Sequence, residues 1–66
     1  SINDIAVDPS GRIAVVETSE IFIYSPTGEL VDSFKTNQTF GVEFNDAGEL
    51  LAAARPFVVK FALQSP

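Results

Sequence analysis

Asp8-Pro9-Ser10-Gly11, with Arg12-Ile13 behind it, decides the fold of this chain because it occurs three times in altered spelling. Ser25-Pro26-Thr27-Gly28 and Asn45-Asp46-Ala47-Gly48 have the same build, each followed by a glutamate and a leucine. The physical reading is a hairpin corner. A polar residue at the first position bonds back to the turn backbone, proline presets φ at about −65°, and glycine takes the positive φ that other residues resist.

The stretches around the corners read as strands. Ile5-Ala6-Val7 and Arg12 to Glu17 flank the first corner and are rich in β-branched residues. Glu20-Ile21-Phe22-Ile23-Tyr24 is a third strand, apolar on both faces, which suits burial between two layers. Glu29 to Lys35 is more polar and fits an outer strand whose charged ends discourage edge pairing. Thr36-Asn37-Gln38-Thr39 is a polar loop, after which the pattern restarts at Phe40-Gly41-Val42-Glu43-Phe44. Gly11 and Gly48 lie 37 residues apart, and at that offset Ile5, Val7, Ile13 and Ile21 fall on Val42, Phe44, Leu50 and Val58. A period of this length built only from strands marks a repeated β-unit.

Glu49 to Arg55 alone has strong helix propensity, with Pro56 placed to end a helix. Seven residues are short for a helix, and the matching stretch Arg12 to Thr18 is strand-like, so a strand is expected. Phe57 to Leu63 completes the second copy's third strand. Ser65-Pro66 echoes Ser25-Pro26, and the second copy carries no outer strand.

Composition bounds the function classes. Sixty-six residues make one small domain or a piece of a larger one, and the chain starts without Met, as a processed or excised product would. There is no Cys and no His, which removes disulfides, common zinc sites, and Cys or His nucleophiles. Apolar residues make up 45% of the chain, ample for a core, so a core-forming chain without a staple is expected to draw stability from other chains. A net charge of −5 repels phosphate backbones, so no nucleic-acid partner is expected. No apolar run approaches the roughly 18 residues of a membrane helix, and no membrane partner is expected. Cysteine usage is compatible with any compartment.

Ile5-Ala6-Val7-Asp8-Pro9-Ser10-Gly11-Arg12-Ile13-Ala14-Val15 and Ile21-Phe22-Ile23-Tyr24-Ser25-Pro26-Thr27-Gly28-Glu29-Leu30-Val31 resemble the blade repeat of NHL-type β-propellers. The second copy departs from that repeat: Glu43 stands for Ala6, Asn45-Asp46 for Asp8-Pro9, and Arg55-Pro56 for Thr18-Ser19. The resemblance implies an all-β chain of antiparallel four-stranded meander blades, about 1.75 of them. Residues 1–37 form the first blade and 38–66 a second lacking its outer strand. Two blades cannot close a ring, so the expected partners are copies of the chain itself, three making six blades or four making eight, or the remaining blades of a longer protein. The expected role is a structural and binding module, with a protein or a small polar molecule as ligand.

In such a meander the Gly corners share one face and the other loops collect on the opposite face, where function usually sits on a rigid scaffold. That face supplies the candidate binding residues Glu17, Ser19, Glu20, Asn37, Gln38 and Arg55; a solvated loop surface is the simpler alternative. Gluconolactonase-like hydrolases share the blade grammar and hold a divalent metal in the central channel. In that alternative Glu43, with Asn3 or Asp4, is the candidate ligand. Asp8, Asn45 and Asp46 are explained by their turns. Phe22, Tyr24, Phe34, Phe40, Phe44, Phe57 and Phe61 are expected in the core. No serine has a base available and no phosphate loop is present, so neither catalysis nor a cofactor is expected.

Overall fold

All three corners close on the same bonds in the computed structural model, which describes residues 2–54 and 56–63. The fourth residue's amide donates to the first residue's carbonyl: Gly11 to Asp8 at 2.9 Å, Gly28 to Ser25 at 2.9 Å and Gly48 to Asn45 at 3.0 Å. The glycines take φ of 94°, 91° and 77°. A turn followed by a left-handed glycine is the bulged hairpin that matches strand twist. The first residue's side chain then holds the amide of the residue after glycine: Asp8 Oδ1 accepts from Arg12 N at 2.8 Å, Ser25 Oγ from Glu29 N at 3.1 Å and Asn45 Oδ1 from Glu49 N at 2.9 Å.

Seven strands result: β1 (Asp4–Val7), β2 (Ile13–Val16), β3 (Glu20–Tyr24), β4 (Leu30–Lys35), β5 (Gly41–Phe44), β6 (Leu50–Ala54) and β7 (Phe57–Phe61). They form two antiparallel meanders, β1-β2-β3-β4 and β5-β6-β7, so the chain is all-β. Within the helix-prone stretch, Leu50–Ala54 is a strand because β5 and β7 both pair with it, Val42 facing Ala52 and Ala53 facing Val58; Arg55 lies outside the described residues. Tertiary pairing overrides the propensity of a run too short to be helical alone.

The second sheet repeats the first at an offset of 37 residues. Ile5 faces Val15 as Val42 faces Ala52, Val7 faces Ile13 as Phe44 faces Leu50, and Val15 faces Phe22 as Ala52 faces Val59. Side chains alternate along a strand, so this register assigns every residue to a face. In the first sheet Ala6, Ala14, Val16, Ile21 and Ile23 share one face; Ile5, Val7, Ile13, Val15, Phe22 and Tyr24 share the other. In the second, Glu43, Leu51, Ala53, Val58 and Lys60 occupy the positions of the first set, and Val42, Phe44, Leu50, Ala52, Val59 and Phe61 those of the second.

The core lies between unlike faces. Ala14, Val16, Ile21 and Ile23 of the first sheet pack on Leu50 and Ala52 of the second, with Phe34, Val42, Phe44, Phe61 and Leu63 around them. The sheets come closest at β1 and β5, where Cα atoms approach within 8 Å; those of β4 and β7 do not. The wider gap holds the rings of Phe34 and Phe61, 4.6 Å apart between centroids. The packed pair is therefore a wedge.

The expectation that all seven aromatics lie in the core needs correction. Phe40 is 48% exposed and Phe57 64% exposed, so neither is core. Phe40 precedes β5 at the rim of the sheet, and Phe57 lies on β7, an edge strand with no further strand beside it among the described residues. Phe22 and Tyr24 are half-buried on the outward face of the first sheet and so are not core either, whereas Phe34, Phe44 and Phe61 are half-buried against the core. The corner expected at Ser65-Pro66 lies outside the described residues.

Candidate functional site

The loops opposite the Gly corners are joined by backbone bonds, and a buried hydroxyl braces one of them. Thr39 is fully buried; its Oγ1 donates to the Asn37 carbonyl at 2.8 Å and meets Thr36 Oγ1 at 2.9 Å. Its amide donates to the Thr18 carbonyl at 3.1 Å, and Asn3 Nδ2 donates to its carbonyl at 3.2 Å. The Thr36 amide donates to the Ser19 carbonyl at 2.9 Å, and the Glu17 amide to the Glu20 carbonyl at 2.9 Å. The linker 36–40 is thereby tied to the 17–20 turn.

The candidate binding residues sit on this platform without converging. Glu20 is paired with the exposed Lys35 at 3.1 Å, a surface pair of small energetic weight. Ser19, Asn37 and Gln38 are exposed and Glu17 half-buried; Arg55 lies outside the described residues. An open cleft of about 410 Å³ runs past Lys35, Thr36, Asn37, Phe57 and Phe61. It lies between Lys35 at the end of β4 and the β7 residues Phe57, Val59 and Phe61, at the open edge of the sheet pair, with Ala52 and Ala54 in its lining.

Glu43 is exposed on β5, opposite Leu51. The side chains named as its possible helpers have other bonds, Asp4 through both oxygens and Asn3 through its amide nitrogen. Asp4 accepts from Ile5 N at 2.9 Å and from Val42 N at 3.0 Å, and Asn3 is bonded to Thr39. Among the described residues no three His, Cys, Asp or Glu side chains gather as a metal site. A hard cation needs several oxygens at once, and this donor set does not fit one.

The Gly-corner face carries the most organised polar group. Asp8 Oδ1 accepts three donors: Ser10 N at 2.9 Å, Ser10 Oγ at 2.8 Å and Arg12 N at 2.8 Å. Oδ2 accepts from Arg12 Nε at 2.6 Å, and both side chains are nearly buried. Burial pushes the Asp8 carboxyl up, but the bonds from Arg12 and Ser10 outweigh it and hold the group below its ordinary 3.8. Arg12 then reaches across the sheets: Nη2 donates to the Gly48 carbonyl at 3.1 Å, and the guanidinium lies 6.0 Å from the Phe44 ring centre. In the second copy Asn45 and Glu49 take these places. Asn45 Nδ2 donates to Glu49 Oε1 at 3.0 Å, and Glu49 lies 3.7 Å from Lys60. Sequence reading counted Arg12 only as a charge. Its opposite sign four residues after Asp8, with a turn between, was the available signal.

Polar stitches therefore join the sheets from the first to the second, among them Asp4 to the Val42 amide and Arg12 to the Gly48 carbonyl. No protein-family model, curated protein or solved structure matches the chain.

Proposed function

We propose that this chain is a structural and binding module: its sheets are consecutive blades of a β-propeller, and its role is to help complete a ring that displays the loops of one face. The observation that carries this reading is the sense of the stacking. The first sheet covers the second on the face that corresponds, position for position, to the face the first leaves open. A two-fold pairing would use the same face of both sheets and be complete; stacking of unlike faces leaves one of each kind open and continues.

Two further features support it. The wedge, tight at β1 and β5 and wide at β4 and β7, turns each added sheet about an axis beside the innermost strands, which is how blades surround a channel. The open face of the first sheet is apolar, with Ile5 53% and Val7 62% exposed. An exposed apolar surface of this kind is a surface awaiting a partner. The resemblance of both copies to NHL-type blades points the same way. The loop platform around Thr39 would then be the ligand-bearing rim, with Glu17, Ser19, Glu20, Asn37 and Gln38 its outermost groups.

Sedimentation equilibrium with binding of a hydrophobic dye tests the reading. The isolated chain is expected to bind dye on its open faces or to associate. A compact, cooperatively unfolding, dye-excluding species of 7.1 kDa would overturn it.

A further inference from the structure

The open face of the second sheet stays apolar where Ala14, Val16 and Ile21 line the internal joint, with Leu51, Ala53 and Val58 in their places, but it departs from the covered face at Ile23 and at the positions that make the joint polar. Ile23, 2% exposed at the middle of the joint, corresponds to Lys60. Ala6 corresponds to Glu43, and Arg12, which donates to the next sheet's corner carbonyl, to Glu49. Asp4, which accepts the next sheet's strand amide, corresponds to Gly41, which has no side chain to offer.

From this we infer that the second sheet's open face is a seat for a sheet unlike the first: one that brings a carboxylate to Lys60 and a donor to Glu49, and that a second copy of this chain cannot supply. The inference rests on the blade reading above. Seated in the internal geometry, a second copy would present Ile5, Val7, Ile13, Val15 and Tyr24 to this face, an apolar patch; the charges on that surface, Glu20 and Lys35, are paired with each other at the far end of β3 from the Ile23 level that Lys60 occupies. Lys60, now 58% exposed, would be drawn under it with only Glu49 of its own sheet at 3.7 Å. Burying ions against an apolar surface costs more than a loose pair returns. At the corner, Glu49 would oppose the carbonyl equivalent to Gly48, an acceptor against an acceptor, where Arg12 makes a bond in the internal joint. The face thus rejects the wrong neighbour by repulsion as well as by missing contacts. A complementary sheet reverses each term: a carboxylate neutralises Lys60 as burial proceeds, and an N–H or guanidinium satisfies Glu49.

Sedimentation velocity on two forms of the chain tests this. The wild type is expected to form no discrete closed oligomer. Glu43→Ala/Asn45→Asp/Glu49→Arg/Lys60→Ile, which restores the first sheet's Ala6, Asp8, Arg12 and Ile23 at those four positions, is expected to form one at a fixed multiple of 7.1 kDa. Circular dichroism checks that the variant remains a sheet, and Lys60→Ile alone replaces it should it fail to fold. A closed ring of the wild type would overturn the inference and leave the blade reading standing. Dye-excluding monomers of both forms would overturn the blade reading itself, and the inference with it. The charge element has its own arm: Val15→Glu, which adds a carboxylate to the facing surface, is expected to strengthen self-association about tenfold at low salt and to lose that gain at high salt. No change in association would refute the carboxylate requirement.

Discussion

Replacing Arg12 by leucine is expected to destabilise the chain by about 3 kcal/mol, and the structure says where that cost arises. The guanidinium makes a 2.6 Å charge-assisted bond to Asp8 Oδ2, a 3.1 Å bond to the Gly48 carbonyl of the other sheet, and a contact with Phe44. Removing one partner of a buried ion pair leaves the other charged and desolvated, at about 3–5 kcal/mol. Asp8 is only half stripped, because Oδ1 keeps three donors from Ser10 and the backbone, which places the loss at the low end of that range. If the orphaned charge is the cause, neutralising it should recover part of the loss. Asp8→Asn/Arg12→Leu is therefore expected to cost about 1–2 kcal/mol less than the sum of the single substitutions. Asn45 shows that an amide holds this corner, since its Oδ1 accepts the amides of Ala47 and Glu49 at 3.0 and 2.9 Å.

Urea unfolding followed by circular dichroism, at one fixed chain concentration because association shifts apparent stability, measures these differences. A cost below about 1 kcal/mol for Arg12→Leu, or strict additivity in the double variant, would refute the reasoning. Acid titration gives an independent check. The folded-state pKa of Asp8 lies below 3.8, so near that pH the unfolded chain binds the proton more readily and stability rises with pH. The contribution of Asp8 is full above 3.8 and is lost as pH falls through the folded value. The stability difference between wild type and Asp8→Asn should shrink in that acid window and hold constant at neutral pH.

Three other outcomes are expected. Gly11→Ala should cost about 2 kcal/mol and Gly28→Ala about 1 kcal/mol: both glycines have positive φ, but a methyl at Gly11 meets Pro26 Cβ at 3.2 Å while one at Gly28 meets open space, so equal losses in thermal unfolding would contradict the geometry. Thr39→Val should cost about 1–2 kcal/mol by removing the buried hydroxyl that holds the linker, and hydrogen exchange at the Thr36 and Thr39 amides should speed up more than exchange in β2. Calcium or magnesium should leave the thermal midpoint unchanged; a metal-dependent rise that disappears in Glu43→Ala would restore the channel-metal alternative.

What was legible in the sequence was local, and what was missed depends on two sheets meeting. The corners at Asp8, Ser25 and Asn45 could be read because their bonds span at most four residues and use the residue types the turn requires. The strands followed, even at the helix-prone Glu49 to Arg55, because the repeat carried the reading across from Arg12 to Thr18. The candidate site was harder to see. Bonds from Arg12 to Gly48, Asp4 to Val42 and Asn3 to Thr39 span 36 to 38 residues, about one repeat, and no local pattern announces them. Exposure failed for the same reason: Phe57 is apolar and sits on a strand, but among the described residues no fourth strand lies beside it. The replacement of Ala6 by Glu43 was visible by aligning the copies, yet its meaning required the faces. Once the register puts Glu43 and Lys60 on one surface and Ile5, Val7 and Tyr24 on another, the two ends of the stack no longer match. A repeat that still fits itself internally, but whose ends have diverged in charge, is built to join unlike neighbours, because each added charge raises the cost of the symmetric contact while leaving the internal joint untouched.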